Sequence, residues 1–140
     1  MECIFCKIAN KEIPAKIIAE NKDALAFLDI EPISDGHTIV IPKKHYQNLS
    51  QCDVETLHGV IDLVKQVSNE IQDSSLKPWG INYLSNEGSI AGQIVMHFHI
   101  HVIPKYGKAE GFQIGIGNKY LGDLDKIYGE LKKHYKVNCK

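Results

Sequence analysis

Apolar residues recur along the chain in two rhythms, and each rhythm marks a kind of element. Lys16-Ile17-Ile18-Ala19-Glu20 and Ala24-Leu25-Ala26-Phe27-Leu28-Asp29 are short runs joined by the turn-type residues Asn21-Lys22-Asp23, which predicts a hairpin. Pro32, Ser34, Asp35 and Gly36 mark a loop, and Thr38-Ile39-Val40-Ile41 predicts a third strand that Pro42 stops. The rhythm then lengthens. Val54, Leu57, Val60, Ile61, Val64, Val67 and Ile71 fall at helical spacing and predict a core-facing helix from about Asp53 to about Asp73, ended by Ser74, Ser75 and Pro78. Ser50, three residues ahead of Asp53, resembles a capping box with Asp in place of Glu. From Trp79 to Ser85 the pattern returns to alternation and predicts a fourth strand.

Between Met96 and Pro104, His97, His99 and His101 alternate with Phe98, Ile100 and Val102. Period two predicts a half-buried fifth strand with all three imidazoles on one face, their Cα atoms spaced by about 6.6 Å. A histidine row backed by an apolar row is not explained by packing alone, so this stretch is the candidate site. Ahead of it, Asn86 to Gln93 is a loop of small residues. Its glycines would let the backbone approach a ligand and aim N–H groups at an anion, although the same residues also suit an ordinary strand connection. Beyond Pro104, the glycine-rich and polar run Lys105 to Gly117 predicts a surface loop. Tyr120, Leu121, Leu124, Ile127, Tyr128 and Leu131 predict a short final helix, with His134 near its C-terminus, where a cation suits the dipole. The expected fold is α+β: an antiparallel sheet of about five strands with one long and one short helix. Residues 1–140 are expected to form a single domain, with no internal repeat or linker read in the sequence.

Composition narrows the chemistry. A net charge of -1 gives no electrostatic case for a nucleic-acid polymer or an anionic membrane. The chain has no arginine, so any phosphate must be held by backbone N–H groups, amides, hydroxyls, imidazoles or lysine. Met1-Glu2-Cys3 begins no secretory signal, and no apolar run reaches membrane-span length, so a cytoplasmic location is expected. Of the four cysteines, Cys3 and Cys6 form a CxxC, Cys52 is a small apolar filler and Cys139 is incidental in a polar tail.

The CxxC has two readings. A redox pair wants a strand before it, and there is no room for one; half of a zinc site needs two further ligands, and histidines are plentiful. The triad itself could hold a metal, supply a nucleophilic imidazole, or divide these tasks, with Cys3, Cys6, His45 and one triad histidine completing a Cys₂His₂ site. Spacing does not choose among these. His37, at a strand entrance, is expected to make a structural hydrogen bond. His58 is read as a surface or boundary residue of the long helix, and Lys43-Lys44 as a solvated strand end.

A resemblance adds to this reading. The segments Ile4-Phe5, Lys7-Ile8, Glu12-Ile13-Pro14-Ala15, Ala26-Phe27-Leu28-Asp29-Ile30, Gly36 to His45, Asn86-Glu87-Gly88 and Gly92-Gln93, followed by the alternating histidines, resemble the histidine triad family of nucleotide-binding hydrolases. They are most similar to its purine nucleoside phosphoramidase-like branch. The resemblance implies that His99 is the nucleophile that carries the nucleotidyl group and that His101 contacts the phosphoryl oxygens. It implies that Gly92 and Gln93 approach the phosphate and that Asn86 lies near the leaving group. It also implies that Asp29 binds ribose and that Phe5, Ile8 and Ile30 line the base pocket. It assigns Cys3, Cys6, His45 and His97 to a structural zinc. It further implies a homodimer with a continuous sheet and a purine nucleotide or nucleotide conjugate as substrate, a phosphoramidate or a dinucleoside polyphosphate. Ile94 departs from the Ser or Thr that relatives often carry near the leaving group and cannot donate that hydrogen bond. His101, in place of glutamine, favours hydrolysis over nucleotidyl transfer. The alternative function is a zinc-stabilised nucleotide-binding or interaction protein with little turnover.

Overall fold

The computed structural model describes residues 2–136, so Cys139 lies outside the described residues. Five strands form one antiparallel sheet in the order β1-β2-β3-β5-β4: β1 (Ile17–Glu20), β2 (Ala24–Leu28), β3 (Thr38–Pro42), β4 (Gly80–Leu84) and β5 (Ile100–Lys105). Three helices accompany it: α1 (Ile4–Ala9), α2 (Val54–Asp73) and α3 (Leu124–Lys132). This is the expected α+β architecture. Among the described residues, no helix is long and apolar enough to cross a membrane.

The hairpin turn is built by Asn21, whose side-chain carbonyl accepts from the backbone N–H groups of Asp23 (2.9 Å) and Ala24 (2.8 Å). Strands β2 and β3 are covered on both faces, which is why both read as unbroken apolar runs. On one face, Ala24, Ala26 and Val40 meet Val60, Leu63, Val64 and Val67 of α2, together with Phe98, Ile100 and Val102. On the other, Leu25, Phe27, Ile39 and Ile41 meet Phe5 and Ile8 of α1. Gly59 lets α2 press on the β1–β2 turn, since a Cβ there would come within 2.7 Å of the Asp23 side chain.

Several local expectations are corrected. The cap of α2 is Asp53 itself, which accepts from the Thr56 N–H at 2.8 Å; Ser50 lies in a 3₁₀ turn and donates to the Glu87 carboxylate. The N-terminal segment, given no element from sequence, is α1, capped by the Cys3 sulfur (Cys6 N–H to Sγ, 3.3 Å). The fifth strand pairs only from Ile100 and runs one residue past Pro104. Continuing its register would set residues 97–99 against the end of β3, where Pro42 offers no N–H. The chain peels away instead, and the Phe98 N–H donates to the Tyr46 carbonyl at 2.6 Å. Alternation survives the departure: Phe98 joins Ile100 and Val102 on the α2 side. The final helix begins at Leu124 after its cap Asp123, leaving Tyr120 and Leu121 outside it, and it buries none of its residues.

Candidate active site and metal cluster

The peeled segment carries His97 and His99, and β5 carries His101, so each imidazole meets a different environment. His97 is fully buried, and its Nε2 lies 2.9 Å from the Pro42 carbonyl oxygen. An acceptor there places the ring proton on Nε2 and leaves the Nδ1 lone pair bare. That bare nitrogen sits 3.3 Å from Cys3 Sγ, 3.5 Å from Cys6 Sγ and 3.2 Å from His45 Nδ1, and Cys6 Sγ sits 3.2 Å from His45 Nδ1. Four donor atoms within 4.8 Å of one another could hold a metal ion. Burial and the adjacent Cys3 push the Cys6 thiol up to about 11. Holding both cysteines as thiolates therefore calls for a cation between them, and two thiolates with two neutral imidazoles are a donor set that suits zinc. Burial also holds His97 down at about 4, so its ring is neutral at pH 7, as a ligand must be.

His99 is fixed by the same residue. Its Nδ1–H donates to the His97 carbonyl oxygen at 2.8 Å, which leaves Nε2 unprotonated. The Ser85 hydroxyl donates to the His99 carbonyl at 2.8 Å and fixes the backbone from the other side. Phe5 of α1 packs edge-on against the His99 ring, with centroids 5.1 Å apart. Burial lowers the pKa of His99 from its ordinary value, so the neutral, nucleophilic form persists at neutral pH.

His37 makes the structural hydrogen bond expected of it, and its other ring nitrogen reaches His101. The Ile33 N–H donates to His37 Nδ1 at 3.3 Å, so the proton of His37 resides on Nε2, 2.9 Å from His101 Nδ1 and 3.5 Å from Asp29 Oδ2. His101 accepts on Nδ1 and therefore bears its own proton on Nε2. Burial, followed by its neighbours His99 and His37, holds His101 at about 4. Asp29, His37 and His101 also lie within metal-ligand reach of one another. The proton on His37 Nε2 nevertheless makes that group a hydrogen-bonded relay, whereas a backbone acceptor frees the His97 nitrogen for a metal. Spacing alone does not separate these two histidine clusters, because the deciding partners are a backbone carbonyl and a backbone N–H.

A cleft of about 480 Å³ opens beside His99 and His101, a volume in the range of small-ligand pockets. Phe5, Ile8, Asp29, Ile30, Gly92 and Ile94 line it. Asn86 and Gln93 are not among its lining. Asn86 lies against Gly92, where a Cβ would meet its Nδ2 at 2.9 Å, and Gly92 holds φ at +102°. Gln93 is buried and turned inward. Its carbonyl accepts from the Gly88 N–H (2.9 Å), and its amide donates to the carbonyls of Gln47 (2.7 Å) and Val95 (3.1 Å), which latches the loop shut.

Sheet, cleft and alternating histidines together define a small α+β domain of the histidine-triad type. The chain belongs to the HIT family, whose domain model matches residues 10–108. It is 43% identical over 115 residues to an adenosine 5′-monophosphoramidase of Schizosaccharomyces pombe, covering 82% of this chain and 83% of the relative. A crystal structure of a HIT family member from Bacillus subtilis superposes with a TM-score of 0.87 at 37% identity, covering 99% and 100% of the two chains. A zinc-bound histidine triad family protein from Mycobacterium smegmatis superposes with a TM-score of 0.75 at 36% identity, covering 84% and 85%.

Proposed function

We propose that the chain is a nucleotide hydrolase that cleaves a nucleoside 5′-monophosphate derivative through a covalent nucleotidyl-histidine on His99. The carrying observation is the 2.8 Å bond from His99 Nδ1 to the His97 carbonyl, which directs the reactive lone pair to Nε2 beside the cleft. In this reading Nε2 attacks the α-phosphorus, while His101 offers its Nε2–H to a phosphoryl oxygen. Water then displaces the nucleotide from His99. Asp29 takes the ribose hydroxyls, and Phe5, Ile8 and Ile30 take a purine base. Backbone N–H groups at Gly92 receive the phosphate, with Asn86 beside them. Gln93 serves by holding the loop rather than by contact. The name of the Schizosaccharomyces relative supports a nucleoside monophosphate product.

Cys3, Cys6, His45 and His97 would hold a structural zinc, which, when bound, ties the N-terminus to the nucleophile's backbone and leaves no open position for substrate. We further read residues 1–140 as one domain, acting as a homodimer with the sheet continued across it, in the cytoplasm.

Incubation with an adenosine 5′-monophosphate derivative, quenched in alkali, is expected to trap nucleotide on His99, and His99→Ala is expected to trap none. A folded protein that binds the nucleoside monophosphate but forms no adduct and turns nothing over would be a nucleotide-binding protein instead.

A further inference from the structure

We infer that Cys3 and Cys6 are a reversible oxidation site: a hydroperoxide joins them as a disulfide, the metal cluster dissolves, and the cleft loses affinity for nucleotide. The effect on affinity rests on the nucleotide reading of the cleft; the oxidation does not. Three features of the cluster and its helix lead to it.

The first is access. His97 is fully buried, whereas Cys3 and Cys6 are only half-buried, so a small solute in water reaches the sulfurs.

The second is geometry. The two cysteines bracket the first turn of α1: Cys3 caps it, and the Cys6 N–H donates to Cys3 Sγ at 3.3 Å. Both sulfurs converge on His97 Nδ1, at 3.3 and 3.5 Å, and lie within 4.8 Å of each other. Two thiolates on one tetrahedral zinc stand about 3.8 Å apart, and a disulfide brings them to about 2.05 Å. Cys3 lies outside the helix in extended backbone, so its rotation closes that gap without unwinding α1. A disulfide sulfur has no negative charge, and His45 and His97 alone do not make a four-ligand site.

The third is what α1 carries. Phe5 and Ile8 are its two buried residues, and both line the cleft. Phe5 also packs edge-on against His97, with centroids 5.9 Å apart, as it does against His99. With the cluster intact, α1 is held both by its sulfurs and by the packing of this apolar pair on Leu25, Phe27, Ile39 and Ile41. With the disulfide closed, only the apolar packing remains, and nucleotide must re-order that wall as it binds. His99 is held by other groups, since its Nδ1–H bonds the His97 carbonyl and His97 itself bonds Pro42. Oxidation therefore acts on affinity and spares the nucleophile.

The electrons balance. One thiolate attacks an oxygen of hydrogen peroxide, the O–O bond breaks, and the departing hydroxide takes a proton to become water. The other thiolate attacks the resulting sulfenic sulfur, the S–S bond forms, and a second hydroxide leaves and is protonated. The two thiolates lose two electrons and the peroxide gains them.

The test treats zinc-loaded full-length protein with hydrogen peroxide. Mass spectrometry is expected to show the peptide Met1–Lys7 lighter by two hydrogens, and a chromogenic chelator to report zinc released in equal amount. Calorimetry is expected to show the Kd for AMP raised about tenfold, the scale of re-ordering two side chains of the wall. A thiol reductant with added zinc is expected to restore all three. Cys52→Ala is expected to respond in the same way, because Cys52 packs on the opposite face of the sheet. Thiols that stay intact with zinc retained, or sulfinic acids that the reductant does not reverse, overturn the oxidation site. Loss of the response in Cys52→Ala overturns its assignment to Cys3 and Cys6. A disulfide that leaves the Kd for AMP unchanged overturns the link to the cleft. Reduced protein that binds no AMP overturns the nucleotide reading instead, and the peptide mass still decides the oxidation site.

Discussion

His99 and His101 differ in which nitrogen bears the proton, and a single backbone group decides each case: the His97 carbonyl for one, the Ile33 N–H, acting through His37, for the other. The same burial that orders these rings makes them resist protonation, and this has a consequence for stability. His101 titrates near 4 in the folded chain and near its ordinary 6.5 when unfolded. The folded state therefore binds fewer protons between those values. Its neutral form contributes stability that is fully present above pH 6.5 and is lost as pH falls through about 4. Allowing for partial solvent access, the loss is about 2 kcal/mol. Urea unfolding of the wild-type protein between pH 7 and 4 is expected to lose that much more than His101→Gln does; parallel curves would remove the assignment.

At the scale of elements, α1 joins the cluster to the cleft. Cys3 caps it, Cys6 lies within it, and Phe5 and Ile8 reach from it into the cleft wall. Cys3→Ser removes a thiolate and the cap together, so metal content, nucleotide affinity and Tm are expected to fall together, measured by elemental analysis, calorimetry and thermal melts. Retained metal would refute the cluster. How α1 escaped a reading from sequence is physical: six residues are too few to show a helical period, and the cap is a sulfur. The long helix was legible because α2 presents its stripe over five turns, and β2 and β3 because their apolar runs are bounded by turn residues. The capping box misled because Asn48 and Asp53 cap two successive elements, with Ser50 inside the first. The histidine row was legible as a row. Its division was legible only through the resemblance and not from spacing, since it follows from where Pro42 ends the ladder and the chain leaves β3.

Across the whole molecule, the packed part of the fold ends near Lys105, whose ammonium donates to the carbonyls of Glu110 and Phe112, both at 2.7 Å, and closes the following loop. From Gln113 to Lys136 every residue is exposed, α3 included, although Leu124, Ile127, Tyr128 and Leu131 give that helix an apolar stripe. Truncation before Ile114 is expected to move Tm by less than about 3 °C, read by differential scanning calorimetry. A larger drop would mean that α3 is covered in solution. The Gln93 latch bears on the molecule as a whole in another way. The loop it closes is tied at Gly88, Gln47 and Val95, so ligand meets a surface that is already shaped. Association then forfeits little chain entropy, its heat-capacity change reflects covered area alone, and encounter is governed by diffusion into the cleft rather than by waiting for a segment to fold.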